Sequence, residues 1–232
     1  MSTSDTHATP DFPTEEQIAE GYDAIAEHVF ESDSMYYDSL GLVKSVSGRV
    51  LDVGCGQGRF LKLLHERYPG ISELAGCDIS PKLCAMARDA VPSAMVTVSN
   101  ALRLEQFESG HFDYVFMISS LEHMTDHAAA LAAAHRVLKP GGALVVSVPN
   151  RNWLRYDRYM SLRTAYQPVD DHFFRPEELF ELCRSAGFRV EAVRGVWALF
   201  RGNWLHHLEN LAAFFVPWLH YKMKSIGVRC RA

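Results

Sequence analysis

Three glycines at alternate positions, Gly54, Gly56 and Gly58, follow the apolar run Val50-Leu51-Asp52-Val53 and lead into a helical segment that begins near Gln57. Glycine reaches positive φ without a steric penalty and has no Cβ, so a ligand can approach the backbone closely there. The first turn of the following helix adds free N–H groups. The spacing is G-x-G-x-G with the acid Asp52 two residues ahead, whereas the dinucleotide fingerprint is G-x-G-x-x-G, so the turn departs from NAD binding. A second carboxylate, Asp78, ends the run Glu73-Leu74-Ala75-Gly76-Cys77, where an acid can hydrogen-bond both hydroxyls of a ribose. Two histidines are candidates for proton transfer because imidazole titrates near neutral pH. They are His123, in Ser119-Ser120-Leu121-Glu122-His123-Met124, and His172, in Asp170-Asp171-His172-Phe173-Phe174-Arg175. Glu122, next to His123, is the third catalytic candidate. Each has a plainer alternative: Glu122 and His123 could brace the loop ahead of the helix beginning near Thr125-Asp126, and His172 could cap the helix that follows it.

Positioning these residues requires alternating strands and helices. Strands are expected near 49–53, 73–78, 94–98, 112–118 and 143–148, with helices near 57–67, 81–90 and 126–138 between them, which implies a parallel sheet covered on both faces. Ser80-Pro81 has the N-cap and N1 pattern of a helix start, and Ala128–Ala134 is a strong helix former that runs out at Pro140-Gly141-Gly142. A further helix starts at Pro176-Glu177-Glu178-Leu179 and stops at Gly187, ahead of the strand Phe188–Val193.

Asn150 to Arg175 is a long connection dense in aromatic and arginine residues. In open α/β sheets ligands sit beyond the carboxyl ends of the strands, so this connection lies where a substrate lid would lie, although a helix packing its aromatics on the core would also account for it. The segment 203–224 carries an apolar stripe at near-helical spacing, for which core packing is the simpler account.

This ordered set of motifs resembles the class I S-adenosylmethionine (SAM)-dependent methyltransferases, in particular the small-molecule enzymes similar to those of ubiquinone and menaquinone biosynthesis. The resemblance covers roughly residues 20 to 195, most specifically 50–60, 73–79, 112–123 and 136–148. It implies a Rossmann-like seven-stranded sheet, mostly parallel with an antiparallel last strand, placed at Ser225–Cys230, in a single domain with helices on both faces and a lid insertion at about 150–175. It also implies SAM as cofactor, with Gly54, Gly56 and Gly58 along its methionyl part and Asp52 fixing the turn or meeting the amino group through water. Asp78 would take the ribose hydroxyls and Ile79 would pack on adenine. Asn100, where many relatives carry Asp, would read the adenine edge together with the Ala101 backbone. Tyr22, in Tyr22-Asp23-Ala24-Ile25-Ala26, resembles part of an N-terminal element that covers the cofactor. Some quinone-pathway relatives bind a divalent cation with Glu-x-x-Glu-His after the fourth strand; here Ser119 replaces the first Glu, so no metal is expected.

Composition agrees with one soluble enzyme domain. The 232 residues are 48% hydrophobic, enough to build a full core, and no stretch is long and apolar enough to span a membrane. A net charge of −5 and a pI near 6.1 argue against a nucleic-acid groove. The five cysteines include no C-x-x-C pair and are expected to be reduced thiols. Residues 1–13 lack the charged and apolar regions of a signal peptide and are expected to form a disordered tail, with the cytoplasm as the default address.

The activity expected from all this is methyl transfer from SAM to a small-molecule acceptor, first of all a hydroxyl, with N- or C-methylation as alternatives. A lipid-linked or membrane-associated acceptor is the second reading, through peripheral contact by Trp204, Phe214, Phe215 and Trp218 beside basic residues. A SAM-binding partner subunit without activity ranks last, since nothing in the cofactor motifs is broken. Oligomeric state is not encoded in any of these features.

Overall fold

The computed structural model describes residues 13–28, 33–162, 168–196 and 217–232. Residues 1–12 of the expected tail and the aromatic residues at 204, 214 and 215 lie outside them. A seven-stranded sheet has the order β3-β2-β1-β4-β5-β7-β6, with β1 (Gly48–Val53), β2 (Ile71–Asp78), β3 (Met95–Val98), β4 (Phe112–Ile118), β5 (Leu138–Pro149), β6 (Arg189–Val196) and β7 (Ser225–Arg231). Only β7 runs antiparallel, and it is inserted between β5 and β6.

Successive residues of a strand point to opposite faces, so the apolar runs feed two cores at once. Leu51, Val115, Met117, Leu144 and Val146 face one side, where α5 (His127–Val137) and α7 (Pro176–Ser185) pack. Val50, Phe116, Ile118 and Val145 face the other, against α2 (Asp33–Leu40), α3 (Arg59–Arg67) and α4 (Pro81–Ala90). Caps fix several helix starts. Ser80 Oγ accepts from the Leu83 N–H at 3.0 Å, and Asp126 Oδ1 accepts from the Ala129 N–H at 2.9 Å. Thr14 and Gln17 form a reciprocal capping box that starts α1 (Glu15–Ile25). Among the described residues no helix is long and apolar enough to cross a membrane.

The sheet grows outward from β1 in both directions, since β1 pairs with β2 on one side and β4 on the other. The connections after β1 and β4 therefore diverge, and a crevice opens at their carboxyl ends, where ligands bind in open α/β sheets. α1 stands over one side of it. The connection after β5 contains α6 (Tyr156–Leu162), and its residues 168–175 run back beside the turn after β4.

Candidate active site

A cavity lies in that crevice, walled by the turns after β1, β2, β3 and β4 and by α1. Asp52, Gly54, Gly56, Asp78, Ile79, Asn100, Ala101, Ser119, Tyr22 and His123 all stand on its wall. The glycine turn has φ of +77° at Gly54, +52° at Gly56 and +80° at Gly58. A Cβ on Gly56 would meet no protein atom within 4 Å, so the space a side chain would take belongs to the cavity. Gly58 is different: it is absent from the wall, it caps α3, and a Cβ there would stand 2.9 Å from Ala87 Cα. Its missing side chain lets α3 and α4 pack closely.

Asp78 ends β2 and accepts the Gly56 N–H through Oδ2 and the Ser80 N–H through Oδ1, both at 3.0 Å. Burial pushes its carboxyl up, and the N–H groups of Ser80, Gly56 and Ile79 oppose that shift. A carboxylate has about four acceptor sites, so it retains capacity for hydroxyl donors from the cavity. Asn100 uses Oδ1 on the Leu102 N–H at 2.8 Å and its side chain also bonds Glu15, while Asn100 and Ala101 both stay on the wall. Asp52 is buried at the cavity floor. Burial pushes the thiols of Cys55 and Cys77 far up, which leaves them protonated packing groups and not nucleophiles.

The two flanks of α1 are latched across the crevice. Asp23 Oδ1 accepts from Ser80 Oγ and, at 3.1 Å, from the Lys82 N–H in the first turn of α4. Gln57 Nε2 donates to Ala26 O. Glu15 takes both Nη groups of Arg103, at 2.7 and 2.9 Å. Those contacts, with Arg103 first and Asn100 second, hold the Glu15 carboxyl down to about 2 from an ordinary 4.5. A carboxylate depressed in the folded state contributes above its unfolded pKa and loses that contribution as pH falls through its folded pKa. The Glu15 end of α1 is therefore expected to loosen as pH falls from about 4.5 toward 2. Both side chains are about half exposed, so added salt should weaken the latch as well. Amide shifts of Ile18 to Asp23 followed down the acid range test this. If Arg103→Gln shows the same pH-dependent shifts as the parent, the latch is not their cause.

The turn after β4 presents the proton-transfer candidates. Ser119 has φ of +51°, a rare conformation for a residue with a side chain, and its hydroxyl donates to Met35 Sδ at 2.8 Å. Ser120 Oγ donates to Val53 O at 2.7 Å and ties this turn to β1. His123 reaches the wall, with the Tyr22 ring edge-on at 6.2 Å between centroids and Asp171 Oδ1 3.3 Å from its Nδ1. The other two candidates do not line the cavity. Glu122 is buried with 2% exposure, and its carbonyl accepts the His172 N–H. The His172 imidazole bonds Glu178 Oε1 at 2.7 Å in the first turn of α7, which is its capping alternative. Sequence reasoning missed Glu15, Arg103 and Asp23, although the Thr14–Gln17 capping box signals the helix that carries two of them.

A crevice at a sheet reversal, a glycine turn open to the cavity and a carboxylate fed by backbone amides together define a nucleoside-binding α/β enzyme of Rossmann-like type. A family model described as a methyltransferase domain matches residues 25–193, and the chain belongs to that family. A ubiquinone biosynthesis O-methyltransferase of Thiobacillus denitrificans is 33% identical over 161 residues, covering 64% of this chain and 67% of that protein. A trans-aconitate 2-methyltransferase of Shigella dysenteriae is 33% identical over 175 residues, covering 73% and 65%. In fold the chain matches a SAM-dependent methyltransferase structure from Thermotoga maritima with a TM-score of 0.63 at 23% identity, covering 91% and 93% of the two chains.

The chain is thus a SAM-dependent methyltransferase. The open Gly56 position and the Asp78 carboxylate fit this cofactor: the first admits a ligand against the backbone and the second suits a ribose. Bound SAM supplies a methyl group on a sulfonium, and its transfer yields S-adenosylhomocysteine.

Proposed function

We propose that this enzyme methylates a hydroxyl of a small molecule, with His123 accepting the hydroxyl proton. The observation that carries the reading is the place of His123: it is the imidazole on the cavity wall, in the turn after β4 beside the glycine turn. Gly54 and Gly56 are assigned to the methionyl end of SAM, Asp52 to fixing the turn, Asp78 to the ribose, and Ile79 with Ala101 to the adenine. Tyr22 covers the site from α1. Holding the reactants in line is itself a large part of such catalysis, about 7–11 kcal/mol in well-oriented systems. The word O-methyltransferase in the name of the Thiobacillus relative supports oxygen as the acceptor atom. The connection 150–175 is assigned as the substrate lid, since its returning half meets both the turn after β4 and α1: a Cβ on Gly21 would stand 2.5 Å from Pro168 Cγ. Incubating the enzyme with methyl-labelled SAM and a cell extract identifies the metabolite that gains label. A labelled amine or carbon would displace the hydroxyl reading.

Turnover is expected to survive EDTA. Ser119 offers no carboxylate and spends its hydroxyl on Met35, and Glu122 is buried behind the wall. A divalent cation prefers several oxygen ligands. Activity abolished by the chelator and restored by magnesium would make Glu122 and His123 ligands instead.

A lipid-linked acceptor is the second reading, favoured by exposed Leu154 and Leu162, at 60% and 73%, beside the exposed Arg155 and Arg158. Sedimentation with anionic liposomes separates the two readings, because a purely aqueous enzyme stays in the supernatant.

A further inference from the structure

Residues 168–174 are tied to their surroundings at several points. Phe174 donates its N–H to Pro149 O at 3.0 Å and accepts from the Arg151 N–H at 2.8 Å, and its ring is fully buried. His172 donates its N–H to Glu122 O at 3.0 Å, which joins this strand of chain to the turn that carries His123. On the other side, Pro168 sits against Gly21 of α1. Asp171 is thereby held between two anchored points, with Oδ1 3.3 Å from His123 Nδ1. Only 17% of the His123 side chain and 13% of the Asp171 side chain are exposed, so water screens the pair weakly.

We propose that Asp171 is the positioning residue for His123, fixing its tautomer and ring orientation and stabilising its protonated form. This rests on the reading of His123 as proton acceptor. A carboxylate at Nδ1 places the neutral ring's proton on that nitrogen and leaves Nε2 as the basic atom for the cavity. When the acceptor oxygen takes the methyl group, its O–H bond breaks toward Nε2 and the new O–C bond forms. The electron pair of the broken S–C bond returns to sulfur. The resulting imidazolium lies beside the Asp171 carboxylate until its proton passes to water. Tyr22 from α1 and Asp171 from residues 168–174 face His123, and Glu122 precedes it in its own turn. Of these, Asp171 brings its carboxylate to within 3.3 Å of Nδ1 and comes from residues tied both to the turn after β4 and to α1. The His123 ring is therefore set for proton transfer only when residues 168–174 are seated.

Imidazole NMR on the full chain saturated with S-adenosylhomocysteine tests this without an acceptor, with His123→Gln assigning the signal. In the parent protein the expected neutral form carries its proton on Nδ1; a proton on Nε2 overturns the proposal even if every Asp171 variant fails to fold. In Asp171→Asn the His123 pKa should fall by about one pH unit or more, because an opposite charge at this range favours the charged ring, and Asp171→Glu should restore most of the shift. An unchanged His123 titration in Asp171→Asn overturns the proposal as well. The underlying base reading is judged separately, by turnover of His123→Gln on the acceptor found by label transfer. Full turnover there removes the base and with it this role, whereas lost turnover with an unmoved titration in Asp171→Asn removes the positioning role alone.

Discussion

Gly56→Val is expected to abolish SAM binding at concentrations that saturate the parent. Two effects act together at this position. The backbone sits at φ +52°, which a β-branched residue adopts only with strain, and the added carbons project into space that holds no protein atom within 4 Å. Parental affinity in the micromolar range corresponds to about −8 kcal/mol, and blocking the cradle should weaken it by at least about a hundredfold. Asp78→Ala should be milder, at about 1.5–3 kcal/mol for losing hydrogen bonds to a charged group, although it also releases the N–H groups of Gly56 and Ser80. Calorimetric titration of both variants, with thermal unfolding as a control for folding, decides between them. Parental affinity in both would mean that the cofactor lies elsewhere.

His123→Ala is expected to lower kcat by about 10²–10⁴-fold while SAM affinity stays nearly unchanged, since general base catalysis contributes that much and the cofactor contacts lie on other turns. His172→Ala should leave kcat within a small factor, because its imidazole is committed to Glu178 and is absent from the cavity wall. Single-turnover rates across pH separate proton transfer from positioning: the parent should lose rate as His123 becomes protonated at low pH, and the alanine variant should lack that limb. Near-parental rates in His123→Ala with the limb intact would falsify the base assignment. They would favour an acceptor that needs no deprotonation, such as an amine or thiolate.

The chain's local chemistry determined the cofactor half of this enzyme. The turn at 54–58, the carboxylate Asp78 and the strand and helix starts at Ser80, Asp126 and Pro176 are each set within a few residues, by backbone freedom at glycine, by capping and by apolar alternation. Gly54, Gly56 and Gly58 look alike in sequence. Their division into wall and helix packing depends on what stands opposite: cavity at Gly56, but Ala87 of α4 at Gly58.

The acceptor half was decided by tertiary structure. Glu122, His123 and His172 were all candidates, with His123 favoured for its place after the fourth strand, because proton chemistry is a property of residue type and nothing local says which side chain turns inward. The three-residue helical turn buries Glu122 and aims His123 at the wall, while the first turn of α7 claims the His172 ring. Asp171 and Arg103 gain their partners from chain 48 and 88 residues away, so their roles follow from long-range contacts that no window of sequence contains. The insertion of antiparallel β7 between β5 and β6 is of the same kind. The family resemblance implies a last strand at Ser225–Cys230, but only the competition of whole edges for pairing fixes which neighbours it takes.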